Sequence, residues 1–186
     1  AFVSAFKNTI ILWVGNFIPQ IILSLSLAVW FTDAKLKIAG KGFFKVVMYM
    51  PNIITAASVS VLFLCIFATN GPVNQILGEL GVETVRFVEG TKARPVVMFI
   101  QTWMWFGNTM IMLMSGIMGI SPSLFEAADI DGASSMQTFW RVTLPLLSPI
   151  MVYTVVTSMI GGLQMFDIPF LFHDGAIEND KIETVA

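Results

Sequence analysis

Residues 95–120, PVVMFIQTWMWFGNTMIMLMSGIMGI, decide the fold. The stretch contains no Asp, Glu, Lys or Arg. At 1.5 Å per residue, about 20 residues in a helix cross a ~30 Å hydrocarbon core, and this stretch exceeds that. Backbone groups in lipid must bond within their own segment, so the run reads as a membrane-spanning helix. Three more apolar runs flank it, at 10–31, 46–67 and 150–172. The first two are free of charged residues and the last carries one, Asp167, near its end. The composition agrees. Only 12% of the 186 residues are charged and 56% are hydrophobic, whereas soluble domains average about 25% charged. Four helices apolar on nearly every face do not fit in a soluble domain of this size. The chain therefore reads as an all-α membrane protein, a polytopic helical bundle with four spans.

Several features modulate that bundle. Pro19 and Pro169 lie inside runs, and Pro51 and Pro95 near run starts; membrane helices tolerate them because neighbours re-satisfy the freed carbonyls. Small residues four apart, Ser24/Ala28, Ala56/Ser60 and Ser115/Gly119, allow close helix approach. The first connection, 32–45, carries Lys35, Lys37, Lys41 and Lys45 against Asp33. The positive-inside rule places it in the cytoplasm. Alternation then puts 121–149 on the same side, and 68–94 and 173–186 outside. Total Lys and Arg are balanced between the sides, so the orientation rests on local density.

The connection 121–149, SPSLFEAADIDGASSMQTFWRVTLPLLSP, has its own internal grammar. Either Ser121 caps a helix with Pro122 at its first position, or Ser123 forms a capping box with Glu126. The helix then runs over 124–131 and Gly132 stops it. Ser134 or Ser135 caps a second helix, on which Met136, Phe139, Trp140 and Thr143 share a face. Pro145 and Pro149 break or turn the chain before the next span. The predicted unit is a helix–Gly turn–helix lying along the membrane surface.

Much chemistry is missing. Gly40-Lys41 is the only Gly-Lys pair and Gly42 follows it, so no phosphate-cradling G-x-x-x-x-G-K-[ST] exists. Cys65 is the single cysteine, which excludes an internal disulfide and reads as a small buried apolar residue. His173 is the single histidine and reads as a surface residue at a helix end. Nothing resembles a catalytic pair or a metal site, no cofactor is implied, and the net charge of −2 does not suit nucleic acid. Gln101, Asn108 and Thr109 in the third span, and Thr157, Gln164 and Asp167 in the fourth, are polar groups at depth. They either bond between helices or line a wet cavity.

Glu126-Ala127-Ala128, Asp131-Gly132-Ala133, Phe139 and Leu144-Pro145, with their spacing, resemble the EAA signature of transmembrane permease subunits of binding-protein-dependent ABC importers. Asn8-Thr9, Tyr49-Met50-Pro51, Gly71-Pro72-Val73-Asn74, Trp103 and Phe166-Asp167 are similar to its sugar-permease branch, so the resemblance covers most of the chain. The outer segment HDGAIENDKIETVA, 173–186, departs from that branch, where many relatives carry Gly-Gly-Pro. The resemblance implies a bundle of the type I importer permease type, with one helix before residue 1 and one after residue 186. It implies import of a sugar by alternating access, together with a second permease subunit, a cytoplasmic ATPase dimer and an extracellular solute-binding protein. In this family the 121–149 loop couples to the ATPase. Glu126 and Asp131 would make polar contacts, Ala127 and Ala128 a close-packed face, and Gly132 the turn, with Phe139, Leu144 and Pro145 completing the motif. Matched by spacing from Glu126, the sugar-contacting positions fall on Met104, Trp105 and Asn108, and on Gly161, Gly162 and Met165; Gln164 and Asp167 lie beside them. The rivals are the same architecture carrying an amino acid or polyamine, and a secondary transporter or channel. The latter would need in-membrane charge pairs or broken half-helices.

Overall fold

The computed structural model describes residues 2–33, 36, 39–89, 92–165 and 167–174. Lys35, Lys37, Phe166 and most of the 173–186 segment lie outside the described residues, as does the side chain of His173. The described elements are all helical, and four helical stretches are long and apolar enough to cross a membrane: Val3–Thr32, Ala56–Glu79, Ala93–Met118 and Ser148–Leu171.

The chain begins with α1 (Phe2–Thr32). It passes Pro19 without ending, and Thr102 donates to the Asn16 carbonyl at 3.1 Å, one residue from the carbonyl that Pro19 leaves open. Next come α2 (Lys41–Tyr49), a 3-10 turn (Met50–Ile53) and α3 (Ala56–Phe67), capped by the Thr55 side chain. The expected single helix over 46–67 is thus two helices with a break. Pro51, buried in the break, has no N–H to continue an α-helical ladder and fits the first turn of the 3-10 segment. Helix α4 (Pro72–Glu79) extends this path, where the sequence had read only a loop. Asn74 secures it: its amide donates to the Ala68 carbonyl at 3.0 Å and the Val85 carbonyl at 2.9 Å, and its oxygen accepts from the Val85 N–H.

Helix α5 (Ala93–Met118) is the hub. Half of its best spanning window is buried, against 22%, 17% and 18% for the others, so it is the helix the rest pack around. Along α1 and α5 the contacts climb together: Asn8 with Arg94, Asn16 with Thr102, Gln20 with Thr109. The two helices are therefore parallel, and the connections that follow them leave from the same end. Phe63 of α3 meets Trp103 (5.5 Å) and Phe99 (5.9 Å), and Phe67 meets Phe87, so α3 runs back alongside α5.

The last span is α9 (Ser148–Leu163) followed by α10 (Asp167–Asp174). Read from the sequence as one helix over 150–172, it stops at Gln164. Pro169 explains the stop, because its ring and missing N–H act on residue 165, four positions back. Within α10, Pro169 sits in the first turn, where that N–H is not needed.

The outer surface of the bundle is apolar, unlike that of a soluble protein, and polar groups are turned inward. On α1 the buried side includes Asn8, Thr9, Asn16, Gln20 and Ser24, while Val3, Ile18, Ile22 and Trp30 are exposed. Polar groups inward and apolar groups outward is the arrangement a lipid solvent favours. Two apolar clusters complete the packing: one around Leu12, Val59, Phe63, Ile100 and Ile168, the other around Ala28, Met110, Leu113 and Leu147. Of the three small-residue pairs, Ser24/Ala28 is buried outright; Ser115 is exposed, and Gly116 beside it makes the close approach to Leu147 and Ile150. Cys65 is exposed on α3 rather than buried, because only one side of that short helix faces the bundle.

Candidate functional site

A cavity of about 260 Å³ lies where α1, α5 and α9 meet. Helix α1 contributes Trp13, Asn16 and Gln20; α5 contributes Gln101, Trp105, Asn108, Thr109 and Met112; α9 contributes Tyr153, Thr154, Thr157, Ser158, Gly161 and Gly162, with Met165 just beyond. Among the described residues the lining holds amides, hydroxyls and aromatic rings and no Asp, Glu, Lys, Arg or His. Its walls are pinned by hydrogen bonds. Gln20 Nε2 donates to Thr109 Oγ1 at 2.7 Å, and Trp13 Nε1 donates to Ser158 Oγ at 3.1 Å. Above the cavity, Ser24 Oγ donates to the Phe106 carbonyl at 2.7 Å. Each such interhelical bond contributes about 0.6 kcal/mol on average within a membrane. Gly162 is where α9 meets Trp13: a Cβ there would run into the indole, so the absent side chain lets α9 close on α1.

The sequence-derived path residues divide. Trp105, Asn108, Gly161, Gly162 and Met165 line the cavity. Met104 does not; it points into the apolar cluster with Ile100 and is 5% exposed, because it is one residue out of phase with Trp105 and Asn108 on the helix. Gln164 and Asp167 are exposed at the break between α9 and α10 and do not line the cavity. The α1 contribution was missed by the sequence reading. Its signal was present: Trp13, Asn16, Gln20 and Ser24 recur every three or four residues in an otherwise apolar run, which is a polar stripe on one helix face.

The 121–149 connection forms the hairpin expected, with changes in detail. Helix α6 (Pro122–Ile130) starts with Ser121 as its cap residue and Pro122 first; Ser121 Oγ bonds Ser123 Oγ at 2.8 Å, and no box to Glu126 forms. Gly132 stops it with φ 71°, and the Ala133 N–H reaches the Ala128 carbonyl at 2.9 Å while the Gly132 N–H reaches Asp129. This is the Schellman arrangement, which needs the left-handed residue. The following helix, α7 (Ser135–Thr138), carries a complete capping box between Ser134 and Gln137. Pro145 and Pro149 do not break the chain as expected. A π-turn (Phe139–Thr143) and α8 (Leu144–Leu146) carry it almost directly into α9. The Leu144 N–H bonds five residues back to Phe139, and this widened turn takes up Pro145. It also shifts the phase, so Thr143 is buried while Met136 and Trp140 are 66% and 59% exposed. Glu126, Ala127, Asp131, Gly132 and Pro145 are exposed, and Phe139 and Leu144 half-buried. Ala128 is buried within this chain, at the residue over which the Gly132 turn closes.

These features define a class: a multi-pass helical membrane protein with an apolar outer surface, an uncharged polar cavity between its helices, and a helical hairpin at one end. Residues 9–175 match the family model described as binding-protein-dependent transport system inner membrane component, and the chain belongs to that family. Similar proteins include the lactose transport system permease protein LacF of Rhizobium radiobacter, 32% identical over 94% of this chain and 59% of LacF. The arabinooligosaccharides transport system permease protein AraP of Bacillus subtilis is 30% identical over 89% of this chain and 53% of AraP. The chain thus spans between half and two-thirds of these relatives' lengths. Among solved structures, a bacterial alginate ABC transporter, in complex with an alginate pentasaccharide-bound periplasmic protein, superposes with TM-score 0.84 at 26% identity, over 98% of this chain and 63% of that one.

Proposed function

We propose that this chain is a transmembrane permease subunit of an ATP-driven importer for a sugar or oligosaccharide. The observation that carries the proposal is the cavity: amides and hydroxyls suited to sugar hydroxyls, and Trp13, Trp105 and Tyr153 suited to apolar sugar faces, with no charge among the described lining residues. The names of two relatives point the same way, toward lactose and arabinooligosaccharides. An amino acid or polyamine would call for a charged partner in the cavity. The breaks at Met50–Ile53 and after Gln164 resemble those of secondary transporters. Ion coupling there would call for charge pairs at depth; among the described residues the cavity lining holds no Asp, Glu, Lys, Arg or His, and Asp167 stands alone at the second break.

The subunit itself has no catalytic role in this reading. A cytoplasmic ATPase dimer docks on the 121–149 hairpin through Glu126, Ala127, Asp131 and neighbouring groups, with Gly132 holding the turn. A second permease subunit completes the path and an extracellular solute-binding protein delivers the sugar. Closure of the ATPases moves the hairpin, the near-continuous α7–α9 segment carries that motion to the cavity, and access alternates. The Lys-rich 32–45 connection and the hairpin both lie on the cytoplasmic side.

Asn108→Ala tests the path. The variant is expected to assemble and hold the ATPase normally, and to raise the apparent KM for sugar uptake about tenfold, the effect of one lost hydrogen bond of about 1.4 kcal/mol. Uptake kinetics identical to wild type would remove the cavity from the path.

A further inference from the structure

Trp13 stands at one end of the cavity. Further along α1, Asn16 and Gln20 lie level with Thr102 and Thr109 of α5, so Trp13 is the α1 lining residue furthest from the 121–149 hairpin. Gly162 and Met165, the lining residues furthest along the last span, are at the same end. Three contacts fix the indole there. Its Nε1 donates to Ser158 Oγ of α9 at 3.1 Å. Its ring stacks on that of Phe17, with centroids 5.7 Å apart and planes 20° apart. Its Cδ1 and Cγ press on Gly162, where a Cβ would overlap them, whereas a Cβ on the adjacent Gly161 would meet nothing within 4 Å. A tryptophan has only two side-chain torsions, so these contacts hold it at little entropic cost. Beyond the indole the cavity does not continue, because Leu12, Met165 and Ile168 pack together there in an apolar cluster.

We propose that Trp13 determines the length of saccharide the cavity accepts: its indole, held between α1 and α9, takes the place that a further sugar ring would occupy. The inference rests on the sugar-importer reading and deepens it. An indole and a pyranose ring are similar in size, and the wall of the cavity at this end is the indole itself. A short saccharide ends against that wall. A longer one must push the indole aside, which breaks the bond to Ser158 and the stack on Phe17. Ser158 and Gly162 are positioning residues: one anchors the indole N–H, and the other, by lacking a side chain, leaves the ring its place.

The test uses the complete transporter with full-length permease, carrying Thr157→Cys in a background where Cys65 and every other cysteine of the complex is serine. Labelling of position 157 by a neutral methanethiosulfonate is slowed by any sugar that occupies the cavity, independently of delivery by a binding protein. Half-protecting concentrations are measured for two pairs of sugars that differ by one ring, lactose with galactosyllactose and arabinobiose with arabinotriose. Adding Trp13→Ala is expected to lower the ratio of the longer sugar's value to the shorter one's by at least about tenfold, the scale on which a pocket's shape discriminates. If that variant does not assemble, Gly162→Ala takes its place; it drives the indole into the cavity and is expected to raise the ratio instead. A general loss of structure changes both values alike and leaves the ratio where it was. An unchanged ratio overturns the length proposal, while protection by the sugars leaves the sugar-importer reading standing. Absence of protection by all four sugars, with Trp13 or without it, overturns both.

Discussion

Glu126→Lys is expected to abolish transport while leaving the membrane bundle intact. Glu126 is exposed on α6, on a hairpin that leaves the bundle at its end, so the substitution touches neither a span nor the cavity. Under the proposed docking, its effect falls on the contact with the ATPase. A Lys in place of an acidic contact opposes the basic groups of a partner, and like charges at an interface cost about 3 kcal/mol. That corresponds to a loss of more than about a hundredfold in affinity for the ATPase subunits. Pull-down of the ATPase with full-length permease, beside uptake of labelled sugar, reads both effects. Full ATPase retention with full uptake would make the hairpin a simple connector.

The second large effect concerns folding. Gly107 lies on the face of α5 that receives the last turn of α2. A Cβ there would fall well inside van der Waals contact of the Met48 carbonyl, with Tyr49 Cα close behind. Both neighbours are backbone, so no rotamer change relieves the clash. Gly107→Val is expected to cost about 3 kcal/mol, at the upper end of overpacking effects. Detergent-purified protein should melt at a markedly lower temperature or fail to accumulate. Gly78→Ala on α4, where an added Cβ meets nothing within 4 Å, serves as the control and should be neutral or slightly stabilising. If both variants melt like the wild type, α2 does not pack on α5 as described.

The spans were legible because absence of charge over about 20 residues is a strong constraint in lipid and needs no tertiary information. The hairpin was legible for a different reason: Pro122, Gly132 and Ser134 each impose local geometry that neighbours cannot override. The breaks were harder. Pro51 and Pro169 were visible, but whether a membrane proline kinks, passes or stops a helix depends on what packs beside it. Pro19 passes and the other two mark breaks. The π-turn before Pro145 was illegible, since nothing local distinguishes a widened turn from a stop. The cavity was half legible. Trp105 and Asn108 were found by resemblance, whereas Asn16 and Gln20 were missed although their spacing marks a polar stripe. Met104 was misplaced because a one-residue phase error turns a helix side chain by about 100°.

Under the proposed function, this chain serves a machine which uses ATP to move a sugar through the α1–α5–α9 cavity. The most direct measurement places the full-length permease with its partner permease and ATPase in proteoliposomes, supplies the solute-binding protein, and follows radiolabelled lactose and a neutral arabinooligosaccharide. The account predicts accumulation of at least one of them against its gradient, dependent on ATP and on the binding protein, and lost in Glu126→Lys. Sugar movement that proceeds equally without ATP, or no movement of either sugar while a charged solute accumulates, would contradict it.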